Sequence, residues 1–376
     1  MANVLGWRSR PIDWVGNRPL LEHRVDPIES ARVQALRGIA CLLLVAFHTV
    51  GSSAASGLRV PDDSLYRQFT NLFVHLRMPI FTFLSGFVYG LRPLRPGQAV
   101  AFSGKKLRRL GVPLLVASTL LYCLHAAAHH PVPPQMWTIY VFPYWHLWFV
   151  QALLVVFAVV VVLESIGALS TFTGVAAVFA LALALYFRGP FGTLNVFGVY
   201  NAAYLLPFFL CGLAAHRYRE VLQSRRALIA TVLCLVLTQG FHSYVVLTRT
   251  LPPIEPLDHR SALNLAIGMS ASLCALQLLP RMPLVERIGG FSYPIYLYHP
   301  LFVAAMLSVA AAARVDAGGL VFTVACAAGV AGPIAMGLVA RRVPGGQLLL
   351  EGRLSARARR EEIRVVLEPV PAKPLH

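Results

Sequence analysis

Along the chain, long apolar runs alternate with short polar joints. A helix needs about 20 mostly apolar residues to cross a bilayer core of about 30 Å. That ruler marks ten runs, at 35–54, 72–91, 110–128, 144–163, 170–187, 200–215, 227–247, 261–279, 291–312 and 319–340, with the softest breaks around 163–170 and 187–200. The pattern predicts an all-α polytopic membrane protein of about ten transmembrane helices. A polar segment, 1–32, precedes a membrane body, 33–340, and a basic tail, 341–376, follows it. The first run lacks a small-residue cleavage site and is read as a signal anchor. No internal repeat and no separate soluble domain interrupts the body.

Composition narrows the class. Of 376 residues, 57% are hydrophobic and 13% charged, with mean hydropathy +0.64, whereas soluble domains carry about 25% charged residues. Disordered chains, coiled coils and ordinary cytosolic enzymes are excluded, since none can solvate so much apolar side chain. The six cysteines (41, 123, 211, 234, 274 and 326) stand singly in or beside apolar runs and read as small buried hydrophobes.

The net charge of +17 would suggest nucleic acid in a soluble protein, but its distribution follows the joints. With ten spans both ends share a side, and that side holds 26 of the 33 Lys and Arg, including Arg8, Arg37, Arg109, Arg217, Arg287 and Arg353. The opposite joints hold six, Arg59, Arg67, Arg188, Arg249, Arg260 and Arg314, and Arg77 begins a span. The positive-inside rule then places both termini in the cytoplasm, with anionic membrane lipids as the partner of the basic face and no nucleic acid. The expected location is a bacterial cytoplasmic (inner) membrane, with multiple passes. The stretch 351–364 is expected to form a short basic surface helix.

Ionisable groups inside spans are costly and are functional candidates by default. In the first run, VQALRGIACLLLVAFHTV, Arg37 and His48 are eleven residues apart. Eleven steps of about 100° make three turns plus about 20°, so the two side chains share a face, about 16 Å apart along the axis. Two readings are open. A neutral imidazole at that depth can take a proton from a hydroxyl; alternatively, His48 is an interhelical structural histidine above a snorkelling arginine.

The segment ALRGIACLLLVAFH resembles the opening helix of the membrane acyltransferase 3 family, whose signature is Arg or Lys, ten residues, then His; Arg37 and His48 match it. In order along the chain, HLRMPIFTFLSGF (75–87), KKLRRLGVP (105–113), YWHLWFV (144–150) and FSYPIYLYHPLF (291–302) resemble further family segments, so the likeness spans about 33–340. It implies an integral-membrane O-acyltransferase that moves an acyl group, usually acetyl or succinyl, from acyl-CoA to a hydroxyl of a glycan, lipid-linked sugar or secondary metabolite. Acyl-CoA is then a co-substrate, with no cofactor bound. By the same likeness His48 is the general base and Arg37 organises the site. The family's Arg-x-x-Arg pair has Lys106-x-x-Arg109 as its nearest match, and lysine loses the bidentate fork toward phosphate.

Other residues carry paired readings. Lys105, Lys106, Arg108 and Arg109 at the mouth of the third span suit capture of the CoA phosphates, or serve only to set topology. Ser85, beside Gly86 midway down the second span, suits ligand approach or plain helix packing. Arg77, near the outer start of that span, pairs with an acidic substrate group or anchors at the interface. Trp145, His146 and Trp148 form a sugar-stacking platform or an interfacial aromatic belt. Tyr293, Tyr296, Tyr298 and His299 add polar groups to the ninth span; Tyr293 and His299 are substrate-contact candidates, and some of the four face the bundle. Adjacent His129 and His130 are a weak metal signal, and no metal site is expected.

Nucleotide-binding glycine loops and a G-x-S-x-G elbow are missing from the sequence. A rival reading is a transporter or flippase for a lipid-linked or small hydrophobic molecule, with Arg37 and His48 along its path. The scarcity of acidic residues within spans weighs against a carboxylate proton relay.

Overall fold

The computed structural model describes residues 26–189, 194–222, 224–248, 260–316 and 318–354. Most of the expected tail helix at 351–364, Arg249 and the arginines before residue 26 lie outside these. Among the described residues every regular element is helical. In order they are α1 (Pro27–Val50), α2 (Leu65–Leu72), α3 (Arg77–Leu91), α4 (Ala99–Lys106), a π turn (Leu107–Gly111), α5 (Val112–Ala127), α6 (Thr138–Val141), α7 (Trp148–Ser165), α8 (Phe172–Arg188) and α9 (Val199–Arg217). There follow α10 (Arg219–Leu222), α11 (Arg225–Thr248), α12 (Ala262–Leu278), α13 (Pro283–Gly290), α14 (Ser292–Ala312), α15 (Gly319–Ala340) and α16 (Gly346–Glu351).

Eight of the helical stretches are long and apolar enough to cross a membrane, while α8 and α12 are apolar but have 17 residues each. At 1.5 Å per residue the two shorter helices reach about 25 Å. The apolar surface faces outward where lipid would lie. On α11 His242 and Val245 are the buried side chains, while Leu233, Val236, Leu237, Phe241 and Leu247 are exposed. Such an outward apolar face is untenable in water and natural in lipid.

The first run extends from Pro27 to Val50, where 35–54 was expected. Its start is set by Asp26, whose carboxylate accepts from the Ile28 amide at 2.9 Å ahead of Pro27 in the first turn. Its end is set by Gly51, which adopts φ +88 and where a Cβ would lie 2.4 Å from the Ser56 carbonyl oxygen. The chain then folds back, with Leu58 N donating to Thr49 O. Buried Arg67 holds this loop by donating to Gly51 O at 2.6 Å and pairing with Asp62 at 3.1 Å. The second run, expected at 72–91, forms a helix only from Arg77 to Leu91, and α2 precedes it across the turn at 73–76.

The basic joint before the third span is helical, with a π turn at its centre. Pro113 explains the widening: it offers no N–H to the Arg109 carbonyl and its ring crowds that oxygen. The Val112 amide accordingly reaches back to Leu107 O.

Helices meet closely where glycine replaces a side chain. A Cβ on Gly86 of α3 would lie 1.9 Å from Phe209 O, and one on Gly212 of α9 would lie 1.9 Å from Phe83 O, so the two backbones touch. Helix α1 meets α13 likewise, with Gly289 against Gln34 O at 1.8 Å and Gly38 against Val285 O at 2.2 Å. The shorter helices are tied in by polar links. His75 Nδ1 pairs with Asn264 Oδ1 at 3.0 Å, Asn264 Nδ2 donates to Tyr186 OH at 3.0 Å, and Tyr186 OH donates to Ser261 O at 3.0 Å. All three side chains are fully or almost fully buried, where an unmade bond would cost roughly 1–3 kcal/mol.

Gly86→Val should lose most of the folded, monodisperse protein in detergent, because the atoms it meets are backbone and cannot yield as a side chain would. Gly240→Ala, on open surface of α11, should keep the parental yield and melting temperature. Fluorescence-detected size exclusion with thermal challenge compares the two.

Candidate functional site

A cavity of about 1440 Å³ lies between the C-terminal end of α1, the start of α3, the end of α5, the start of α9 and the second half of α14. Its rim includes exposed Ala55, Arg59, Leu124, His130 and Trp145, all on the arginine-poor side of the sequence pattern. Its inner wall includes His48, His146, Arg77, Tyr204 and Tyr296.

At the inner wall three imidazoles from three parts of the chain converge. Ring centroids are 4.9 Å apart for His48 and His299, 5.8 Å for His48 and His146, and 5.4 Å for His146 and His299. His299 is set by the next residue. Pro300 has no N–H, which leaves the Tyr296 carbonyl without its helical donor. His299 Nδ1 takes that place at 3.0 Å and also reaches Ile295 O at 2.8 Å. With two acceptors opposite, Nδ1 carries the hydrogen, and the buried Nε2 has no partner.

His146 is held similarly, its Nε2 donating to Leu297 O at 3.1 Å and its Nδ1 buried without a partner. Tyr296 OH donates to the His146 carbonyl. The backbone turns His146 inward. Phe142 is extended ahead of Pro143, and Trp145 adopts φ +48, outside the usual region for a residue with a side chain. Trp145 is thereby 58% exposed while His146 is buried. Among the described residues no group of three His, Cys, Asp or Glu is placed to hold a metal ion.

Beside the imidazoles, Arg77 stacks on Phe47 with its guanidinium carbon 3.7 Å from the ring centroid, and Phe47 contacts His48 edge-on at 5.1 Å. Across the cavity, Asn195 Oδ1 accepts from Tyr200 N at 3.1 Å, and Arg260 donates to the carbonyls of Tyr186 at 3.0 Å and of Tyr200.

Arg37 lies toward the other end of α1, within electrostatic reach of Arg109 and Arg353. The π turn carries Arg108 and Arg109, and α16 packs beneath it; Gly352, at φ +65, would place a Cβ 2.5 Å from Arg109 Cα.

Of the residues singled out from sequence, Arg77, Trp145, His146 and His48 line the cavity, and His299 backs it as part of the imidazole cluster. Arg37 lies at the opposite end, within electrostatic reach of Arg109. The Lys106 ammonium lies 3.7 Å over the Phe157 ring, and Lys105 is exposed. Ser85 does not line the cavity. Its hydroxyl donates to Phe81 O at 2.8 Å, and the adjacent Gly86 packs on α9, which is the helix-packing alternative. Tyr293 belongs to the Arg37 end, donating to Leu110 O at 3.3 Å. The convergence of His146 with His48, the Phe47–Arg77 stack and the polar wall of Asn195, Tyr204 and Arg260 were not apparent from sequence. The proline after His299 and the Phe-Pro before Trp145 were the available signals.

A family model described as an acyltransferase domain matches residues 30–338, a span that takes in both ends of the site. Neither the curated proteins nor the solved structures contain a match to the chain. With the family's match covering nearly all of the membrane body, including Arg37 and His48, the chain belongs to the membrane acyltransferase 3 family.

Proposed function

We propose that this chain is an O-acyltransferase that moves an acyl group, acetyl or succinyl, from acyl-CoA to a hydroxyl of a glycan, a lipid-linked sugar or a small molecule. The observation that carries this reading is the disposition of α1. One end brings His48 into an imidazole cluster at the wall of a large cavity, and the other carries Arg37 within electrostatic reach of Arg109.

On this reading the ten apolar helices all cross the membrane, both termini are cytoplasmic, and the membrane is the inner membrane of a bacterium. Arg37, Arg108 and Arg109 hold the phosphates of acyl-CoA, with Lys105 adding charge at the rim and Lys106 bracing the segment on Phe157. The acceptor occupies the cavity, stacks on Trp145 at the mouth and meets Arg77 and His146 within. His48 takes the proton of the acceptor hydroxyl as the oxygen attacks the thioester carbonyl carbon. The carbon–sulfur bond then breaks, and the departing CoA thiolate recovers the proton from the imidazolium, giving the ester and free CoA. His299 is a positioning residue, and His146 both meets the acceptor and flanks the base. Their N–H groups are committed to backbone carbonyls, so each keeps one neutral tautomer and a fixed ring beside His48.

His48→Ala should lower acyl transfer by at least about 100-fold, within the usual worth of a general base, while elution volume and melting temperature stay parental. Purified protein in nanodiscs, assayed for CoA release from acetyl-CoA and succinyl-CoA with and without a hydroxyl acceptor, provides the measurement. Near-normal turnover in a folded His48→Ala protein would overturn the assignment, and acceptor movement across a vesicle without CoA release would favour a transporter. Orientation has its own check: a reporter active only in the cytoplasm should be active when fused after residue 354 and inactive when inserted at Ala55.

A further inference from the structure

Arg77 is 94% buried by its fractional exposure of 6%. Its Nη1 has no hydrogen-bond partner, and among the described residues no carboxylate pairs with it. A guanidinium withdrawn from water without a counter-charge is expensive, yet this one is held in place by Phe47 and lines the cavity. The surroundings share its sign. Arg59, Arg260, His125 and His130 also line the cavity, and no Asp or Glu does among the described residues. Helix α3 begins at Arg77 with no side-chain cap and no acid in its first turn, so its dipole adds positive potential at the same place.

Resting on the acyltransferase reading, we propose that Arg77 is an anion subsite: the substrate brought to His48 carries a carboxylate, phosphate or sulfate that supplies the missing counter-charge. The flat guanidinium, fixed by the Phe47 ring, leaves its edge to make paired bonds to such a group. Phe47 also joins Arg77 to His48, since it touches both. The bound anion is thus placed a short distance from the reacting hydroxyl. Two sources share this chemistry: an acidic group on the acceptor, and the far carboxylate of a dicarboxylic acyl group on CoA.

The test is equilibrium binding to the full-length protein in nanodiscs, read by thermal shift and calorimetry without turnover. The probes are two charged and neutral pairs, methyl glucuronide with methyl glucoside and succinyl-CoA with acetyl-CoA. At least one anionic member should bind about 10- to 100-fold more tightly than its neutral partner, the range of a charge-assisted bond. The first pair identifies the acceptor as the source, the second the acyl group. In Arg77→Gln the preference should fall to within about two-fold, and in Arg77→Lys, which keeps the charge without the fork, an intermediate preference should remain. Equal binding within both pairs by the unaltered protein overturns the proposal without any variant having to fold, as does a preference that survives Arg77→Gln. Failure of the underlying reading is separately visible. An Arg77-dependent preference together with full turnover in His48→Ala would keep the anion subsite and remove the acyl-transfer assignment.

Discussion

Backbone contact between α1 and α13 at Gly38 and Gly289 governs the functional geometry. With 1.8 Å from a would-be Gly289 Cβ to Gln34 O and 2.2 Å from Gly38 to Val285 O, neither helix can rotate or slide without collision. Gly38 is the neighbour of Arg37 and lies ten residues before His48, so fixing α1 there fixes the azimuth of both. One ionisable group is aimed at the basic segment and the other at the cavity. In hydrocarbon, where apolar side chains gain little by leaving lipid for protein, such interlocking of small residues is a principal source of helix specificity. The same device at Gly86 and Gly212 sets α3 against α9, and through α3 it sets Arg77.

Prolines supply the second level of organisation, by withholding backbone donors and by fixing the residue ahead of them. Pro300 frees the Tyr296 carbonyl, which His299 takes up. Pro113 denies a donor to Arg109 O and accompanies the π turn that displays Arg108 and Arg109. Pro143 forces Phe142 to be extended, and the φ +48 of Trp145 then sends His146 inward. Each proline either withholds a backbone donor or restricts the residue before it, and in two of the three a histidine is oriented as a result. His146 and His299 are therefore held by backbone carbonyls, and their buried nitrogens without a partner are His146 Nδ1 and His299 Nε2.

Much of this was readable in one dimension. Hydropathy located every long apolar helix, and helical arithmetic put Arg37 and His48 on one face. It erred where backbone conformation overrules hydropathy. Gly51 stops the first helix four residues early, and the basic joint continues as helix through a π turn that no charge count would reveal. His146 is the instructive case. Flanked by Trp145 and Trp148, it reads as part of a sugar-stacking platform or of an interfacial belt, and only a left-handed residue in front of it separates an exposed tryptophan from a buried histidine. Ser85 carries two readings in the sequence, ligand approach or helix packing; in the structure its hydroxyl donates to the carbonyl four residues back. Contacts distant in sequence, such as Phe47 with Arg77, leave no periodic trace.

A site divided along one helix constrains the donor. Arg37 and His48 are separated by three helical turns, about 16 Å of rise, with the cation cluster at one end and the base at the other. On the proposed mechanism the acyl donor must carry its negative charge far from its reactive carbon and connect the two by something thin enough to pass beside α1. A compact acyl phosphate would meet the arginines or the histidine but not both, whereas a thioester on a long flexible arm ending in phosphates meets both at once. The acceptor faces the opposite demand, since it enters a wide cavity whose wall already holds the base. Charge compensation at Arg77 then becomes a means of registering the acceptor, or the far end of the acyl group, against His48 while the donor's phosphates stay anchored below.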